Sequence, residues 1–341
     1  SFIVFGPKIK LIPDKSLQPR IIFFWLVGFF ICLWPLNFFY FWHGSEILIN
    51  QEDILAPLAT ATQPAILREP VRIIFLGDLM FDRQIRQVAQ KNGPDFILAK
   101  VKDFLAVADC AVANLEGPIT TQPSQSVNTL PGDPKNTIFT FDKSVAAVLA
   151  NHNIKAVSLA NNHIDDFGPA GEAETANFLT ASGVDFFGTA EKNSLIKEIK
   201  GVKVGLIGYN QFNSLVGFEV ALAAVKDLRP QVDLLVVLAH WGSEYRLTAT
   251  DGTKNIGRAL LNQGADLVVG THPHVIQDKE ISGDKTIYYS IGNFIFDQYF
   301  DKDVREGLAL TLDFDLATGK KQITETRLFL EANGQTSILG L

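Results

Sequence analysis

The chain has 341 residues, 47% of them hydrophobic, and a net charge of −7. That apolar content excludes a disordered chain, and the length allows a membrane anchor plus one large domain or two small ones. Residues 1–42 carry Lys8, Lys10, Lys15 and Arg20 against Asp14, whereas the rest has 26 basic and 36 acidic residues, a net of −10 that argues against nucleic acid as a partner.

Residues 1–20 form a basic N-terminal segment. Residues 21–42 (IIFFWLVGFFICLWPLNFFYFW) are uncharged and about as long as the ~20 residues that cross a bilayer. Tyr40 and Trp42 sit near one end, as interfacial aromatics do. The apolar run exceeds the core of a signal peptide, and no small-residue cleavage site follows at once. A retained single-pass anchor is therefore expected. Basic residues precede it, while Glu46, Glu52 and Asp53 follow. The positive-inside rule then puts residues 1–20 in the cytoplasm and the large domain outside. Residues 43–70, with Pro57, Pro64 and Pro70, read as a tether. A globular domain is expected over 71–341.

Within it, apolar runs predict strands at 71–77, 109–114, 155–160, 203–208, 232–238, 266–270 and 286–291. Helical stretches are expected near 83–106, 143–152, 170–182, 218–228 and 253–263. Strand followed by helix, repeated, predicts parallel strands in an α/β domain. From about residue 305 the pattern becomes antiparallel strands around a turn at Ala317–Gly319. Residues 117–137 form a long polar loop, a kind that is more often functional than accidental. The two cysteines, Cys32 and Cys110, make neither a disulfide framework nor a CxxC motif. A metal would have to be held by nitrogen and oxygen.

Such ligands recur at strand ends. Asp78 ends one run, Asn114 and Glu116 another, Asn162 and His163 a third, His240 a fourth, and His272 and His274 a fifth. In open α/β sheets, ligands bind beyond the carboxyl ends of the strands. These side chains should converge on one rim suited to borderline divalent ions. Singly, each has an ordinary explanation. Asp78 could cap a helix, Asn162 and His163 could shape a turn, and His240 could be a core histidine. His272-Pro273-His274 is stronger, because a rigid turn can aim two imidazoles at neighbouring ions. His152, near an expected helix C-terminus, and His43, at the membrane boundary, are given no role.

Taken in order, GDLMFDR (77–83), ANLEGPIT (113–120), LANNHIDDFG (159–168), AHWGSEY (239–245), GTHPHVIQ (270–277) and YSIGNFIFDQ (289–298) resemble the CapA family of bacterial poly-γ-glutamate capsule synthesis proteins, in the calcineurin-like metallophosphatase superfamily. The resemblance covers roughly 71–300. It implies an α/β fold, a β-sandwich flanked by helices, with two divalent ions (Mn, Zn or Fe) at the sheet edge. By the same resemblance Asp78 and His274 would serve the first ion and Glu116 would bridge. Asn162, His240 and His272 would serve the second. His163 would face the scissile group as proton donor or oxyanion stabiliser, oriented by Asp166. From their own place at strand ends near this rim, and not from the resemblance, Asn114, Glu244 and Asn293 are expected to contact substrate or support the site.

One position departs from the superfamily. Where it has Asp-x-His, this chain has Asp78-Leu79-Met80, a lack of histidine that CapA-like proteins share. The first ion would be weakened unless another group, such as Asp82, replaced that ligand. Two functions follow. One is an extracytoplasmic, membrane-anchored hydrolase of a phosphoester or a γ-linked polyglutamate. The other is a non-catalytic, metal-dependent component that binds a polyanionic polymer for export or assembly beside other capsule synthase subunits.

Overall fold

A computed structural model describes residues 69–340. The expected span at 21–42, Cys32, His43 and nearly all of the tether lie outside the described residues. Among those described, no helix is long and apolar enough to cross a membrane.

The chain opens with β1 (Val71–Leu79), α1 (Arg83–Asn92), α2 (Lys102–Ala106), β2 (Cys110–Leu115), α3 (Ser144–Asn151), β3 (Ile154–Ser158), α4 (Gly168–Ala181) and β4 (Asp185–Phe187). It continues with β5 (Ser194–Ile199), β6 (Val202–Asn210), α5 (Phe218–Leu228), β7 (Leu234–His240), α6 (Asp251–Gln263) and β8 (Leu267–Thr271). Then come β9 (Lys279–Ser282), β10 (Lys285–Tyr288), β11 (Asn293–Ile295), α7 (Lys302–Arg305), β12 (Glu306–Asp315), β13 (Lys320–Leu330) and β14 (Thr336–Ile338).

These strands make two sheets. The first runs β14-β13-β12-β1-β2-β3-β4, with β11 pairing to β1 off this path; the second runs β5-β6-β7-β8-β10-β9. β1 to β4 are parallel, as are β6, β7, β8 and β10. β12 and β13 pair antiparallel, as their alternating sequence predicts.

The apolar runs are continuous because these strands are buried on both faces. In β1, Val71, Ile73 and Phe75 share a core with Val204 and Leu206 of β6, Val236 of β7 and Val269 of β8, so the two sheets face each other. The alternate residues Ile74, Leu76 and Leu79 pack with Ile85, Leu149 and Leu179 of α1, α3 and α4. On the far side, Ala221 and Val225 of α5 and Leu260 of α6 cover Val237 and Val268. Cys110 is a free, buried thiol in the inter-sheet core, and burial pushes its pKa up to about 11.

Two differences from the expected elements have physical causes. The single helix expected at 83–106 breaks at Gly93, whose φ is +90°, and Pro94 starts a 3-10 stretch that runs to Val101 before α2. Glycine after a helix followed by proline is a stop. The expectation also lacked β4, β5, β9, β11 and β14. Four of these have three or four residues, and β5 is half-exposed throughout, so none shows a sustained apolar run.

Candidate metal centre

Parallel strands send their carboxyl ends to one side of each sheet, and here the two sheets bring those ends together. Asp78 near the end of β1 is in register with Asn114 of β2 and with Asn293 of β11. His240 ends β7 opposite Thr271 of β8. The chain then turns sharply. His272 and His274 hold φ values of +93° and +57° on either side of Pro273, a backbone cost of about 1–3 kcal/mol each for non-glycine residues. The turn delivers the His272 amide to Asp78 Oδ2 at 3.1 Å and sets His274 Nδ1 3.4 Å from the same oxygen.

A polar chain fixes the floor of the cluster. Asn161 accepts from the His163 amide at 3.1 Å, and its nitrogen donates to Asn114 Oδ1 and to the Leu115 carbonyl. That orients Asn114 so that its own nitrogen donates to Asp78 Oδ1 at 2.7 Å. The same nitrogen lies 3.3 Å from His240 Nδ1, and Thr271 Oγ lies 3.0 Å from it. Nδ1 thus accepts, and His240 Nε2 donates to Asn162 Oδ1 at 2.7 Å. A cation there would take the place of that proton. His163 Nδ1 lies 3.0 Å from Asp166 Oδ2, which also accepts from the Phe139 amide. The opposite ring nitrogen of His163 is 4.0 Å from Glu116 Oε1.

Glu116 decides the electrostatics. It is fully buried, and neither of its carboxylate oxygens has a hydrogen-bond partner. An unpaired buried carboxylate is costly, and a nearby cation is what offsets it. His274 Nε2 lies 3.7 Å from Glu116 Oε1. His272 Nδ1 is likewise buried and unpartnered. Burial, then the Asp78 charge, raises the Glu116 pKa well above the usual carboxylate range. For Asp78, burial would push its pKa up, but the His274 and Asn114 hydrogen bonds, joined by the His240 charge once that imidazole is protonated in acid, outweigh it and lower the pKa. Burial, then His272, drives the pKa of His240 well down. Burial, then His274, pushes His272 down to about 4. Neutral imidazoles beside carboxylates are the state in which both ligate metal. Donor atoms of Asp78, Glu116 and His240 lie within 4.8 Å of one another, and so do those of Glu244, His272 and His274. The residues present thus fit divalent ions.

The structure brings Asp78, Glu116, Asn162, His163, His240, His272 and His274 together. Asn114 and Asn293 are each 1% exposed, behind the ligands and away from the cavity surface. Asn293 Oδ1 faces His274 Nδ1 at 2.9 Å. Asp82 does not replace the missing histidine. Its Oδ1 accepts from the Arg83 amide, Arg86 and Ser124, and its Oδ2 from the Thr140 amide. Met80 is buried in the helix-facing core. His152 caps α3 through Val148, as expected of a structural histidine.

Beside the cluster opens a cavity of about 430 Å³, walled in part by His163, His274, Tyr245 and residues of the long polar loop. Sequence reasoning overlooked two residues here, Asn161 and Arg83. The Arg83 guanidinium lies 5.1 Å from the Phe139 ring centre and 5.4 Å from that of Phe296, and it pairs with Asp297. The only signal was its place in GDLMFDR.

Together these features define an α/β protein of two facing sheets with clustered imidazoles and carboxylates at their shared strand ends. Residues 72–298 match the family model described as "Bacterial capsule synthesis protein PGA_cap", and the chain belongs to this CapA family. It is 30% identical over 244 residues to the "PGA biosynthesis protein CapA" of Bacillus subtilis (strain 168), covering 66% of this chain and 63% of that protein. It is 26% identical over 257 residues to the "Capsule biosynthesis protein CapA" of Bacillus anthracis, covering 67% and 61%. A "Probable polyglutamine synthesis accessory protein" of Mycobacterium tuberculosis is 26% identical over 170 residues, covering 41% and 44%. The matches to the two CapA proteins thus span 63% and 61% of those proteins' length.

Proposed function

We propose that this domain is a metal-dependent hydrolase of capsule polymer metabolism, acting on a phosphoester or a γ-linked polyglutamate. The observation that carries this reading is Glu116, a buried carboxylate with two unpartnered oxygens at the meeting point of Asp78, His240, His274 and His163. A purely structural polar core would pair those oxygens. Asp78, Glu116, Asn162, His240, His272 and His274 would hold two divalent ions, of Mn, Zn or Fe. Ions held there would acidify water and neutralise charge developing on the substrate.

The chain's own groups supply the rest. His163 is held by Asp166 and presents its other ring nitrogen toward the cluster. It is placed to give a proton to a leaving oxygen or nitrogen. Asn114 and Asn293 orient Asp78 and His274, much as outer carboxamides and carboxylates steer metal ligands. Arg83, between two aromatic rings in the cavity wall, is balanced by Asp297, and an anionic substrate would have to compete with that carboxylate for the guanidinium. The family's role in capsule synthesis supports a polymer substrate and capsule synthase subunits as neighbours, while an extracytoplasmic place on the bacterial cytoplasmic membrane rests on the uncharged run at 21–42 alone.

The test is divalent-ion-dependent cleavage of chromogenic phosphodiesters and of γ-linked glutamate oligomers by the purified full chain. Turnover should fall at least 100-fold in His163→Ala while metal content is unchanged. A wild-type chain that binds metal and polymer yet releases no product would establish the assembly role instead.

A further inference from the structure

We propose that Glu244 is a metal ligand of this centre, binding beside His272 and His274. This rests on the reading of the cluster as a metal centre. It adds a donor that the family resemblance does not supply, at a residue whose place at a strand end had pointed to substrate instead.

Four observations carry it. The donor atoms of Glu244, His272 and His274 fall within 4.8 Å of one another as a set of their own. His272 Nδ1 is buried and has no partner, so that set contains a nitrogen in need of one. The loop bearing Glu244 is tied to the turn bearing the two histidines. The Tyr245 amide donates to the Pro273 carbonyl at 2.8 Å. Finally, left-handed backbone at non-glycine residues clusters in these two loops, at Tyr245, His272 and His274. Such strain persists where surrounding structure holds a functional geometry.

The chemistry is consistent. Two imidazoles and one carboxylate are a donor set for a catalytic transition-metal ion that keeps an open position. Glu244 is exposed and lines the cavity, so this ion would face substrate. A bare carboxylate at that rim would repel a polyanionic chain, which suits a ligand better than a substrate contact.

The measurement is metal stoichiometry and affinity of the full chain, by elemental mass spectrometry after gel filtration and by calorimetric titration with Mn²⁺ and with Zn²⁺. Wild type should hold two ions. Glu244→Gln should hold one, its second affinity weakened at least tenfold, and Glu244→His should restore much of it. Because Glu244 is exposed, the thermal melting of the metal-free variant should match that of wild type. Two ions held with unchanged affinity by Glu244→Gln would overturn the assignment and leave the hydrolase reading standing. A wild-type chain that takes up no ion would remove both.

Discussion

Asn293 Oδ1 lies 2.9 Å from His274 Nδ1, and the Asn293 nitrogen donates to the Val304 carbonyl at 3.1 Å. With its nitrogen so engaged, Asn293 can only accept from His274. The His274 proton therefore sits on Nδ1, and Nε2 is left free toward Glu116, 3.7 Å away. Fixing a ligand's tautomer from behind is worth about 10–100-fold in metal affinity. Asn293→Ala should weaken ion binding by that order in calorimetric titration. An unchanged affinity would remove Asn293 from the metal centre.

Asp82 and Arg86 form an ion pair at 2.9 Å, with side chains 0% and 10% exposed. Two backbone amides and Ser124 complete the carboxylate's partners. Deleting one member of such a pair leaves a charge without a partner and costs about 3–5 kcal/mol. Asp82→Ala should lose stability of this size in urea unfolding, while the folded fraction keeps its full metal content. Loss of an ion without loss of stability would make Asp82 a ligand after all.

The site was more legible in the sequence than its supports. Asp78, His240, His272 and His274 announced themselves because each follows an apolar run that two packed layers keep hydrophobic on both faces. β11 has only Asn293–Ile295, too short for any period, so nothing showed that Asn293 would stand behind His274. The break at Gly93-Pro94 was written in the sequence and outvoted by the apolar residues around it. Glu244 lay open to a substrate reading because an exposed acid after a strand carries no pattern of its own. That it shares a donor set with His272 and His274 depends on two loops being tied together. Arg83's cradle depends on Phe139 and Phe296, rings distant in sequence.

Gly77 lets β11 lie beside β1. A Cβ at this position would come within 1.8 Å of the Gly292 carbonyl oxygen, which is backbone and cannot rotate aside. Gly77→Ala must push apart the strands that carry Asp78 and Asn293. Overpacking alone costs about 1–3 kcal/mol. The variant should melt at a lower temperature than wild type and bind metal more weakly. Retention of both properties would mean that the close approach of β1 and β11 is not needed.

Glu116 makes stability and metal binding pull against each other. Its pKa is raised in the folded chain, by burial and then by Asp78. Between the ordinary glutamate pKa and this raised value, the folded state keeps a proton that the unfolded state releases. Stability of the metal-free chain must therefore fall as pH rises across that window, by about 1.4 kcal/mol per pH unit from this group. Glutamine has no proton to lose and keeps the shape. Metal-free Glu116→Gln should thus be more stable than wild type above about pH 4.3, with a gap that widens as pH rises through the window. Saturating Mn²⁺ or Zn²⁺ should reverse the order, because an ion that binds only the folded wild type adds stability that the variant cannot gain. Urea unfolding at several pH values, with chelator and with metal, measures both effects. A gap that stays flat with pH would mean that Glu116 is already compensated without an ion. A variant that gains as much stability from metal as wild type would show that the ions are held elsewhere.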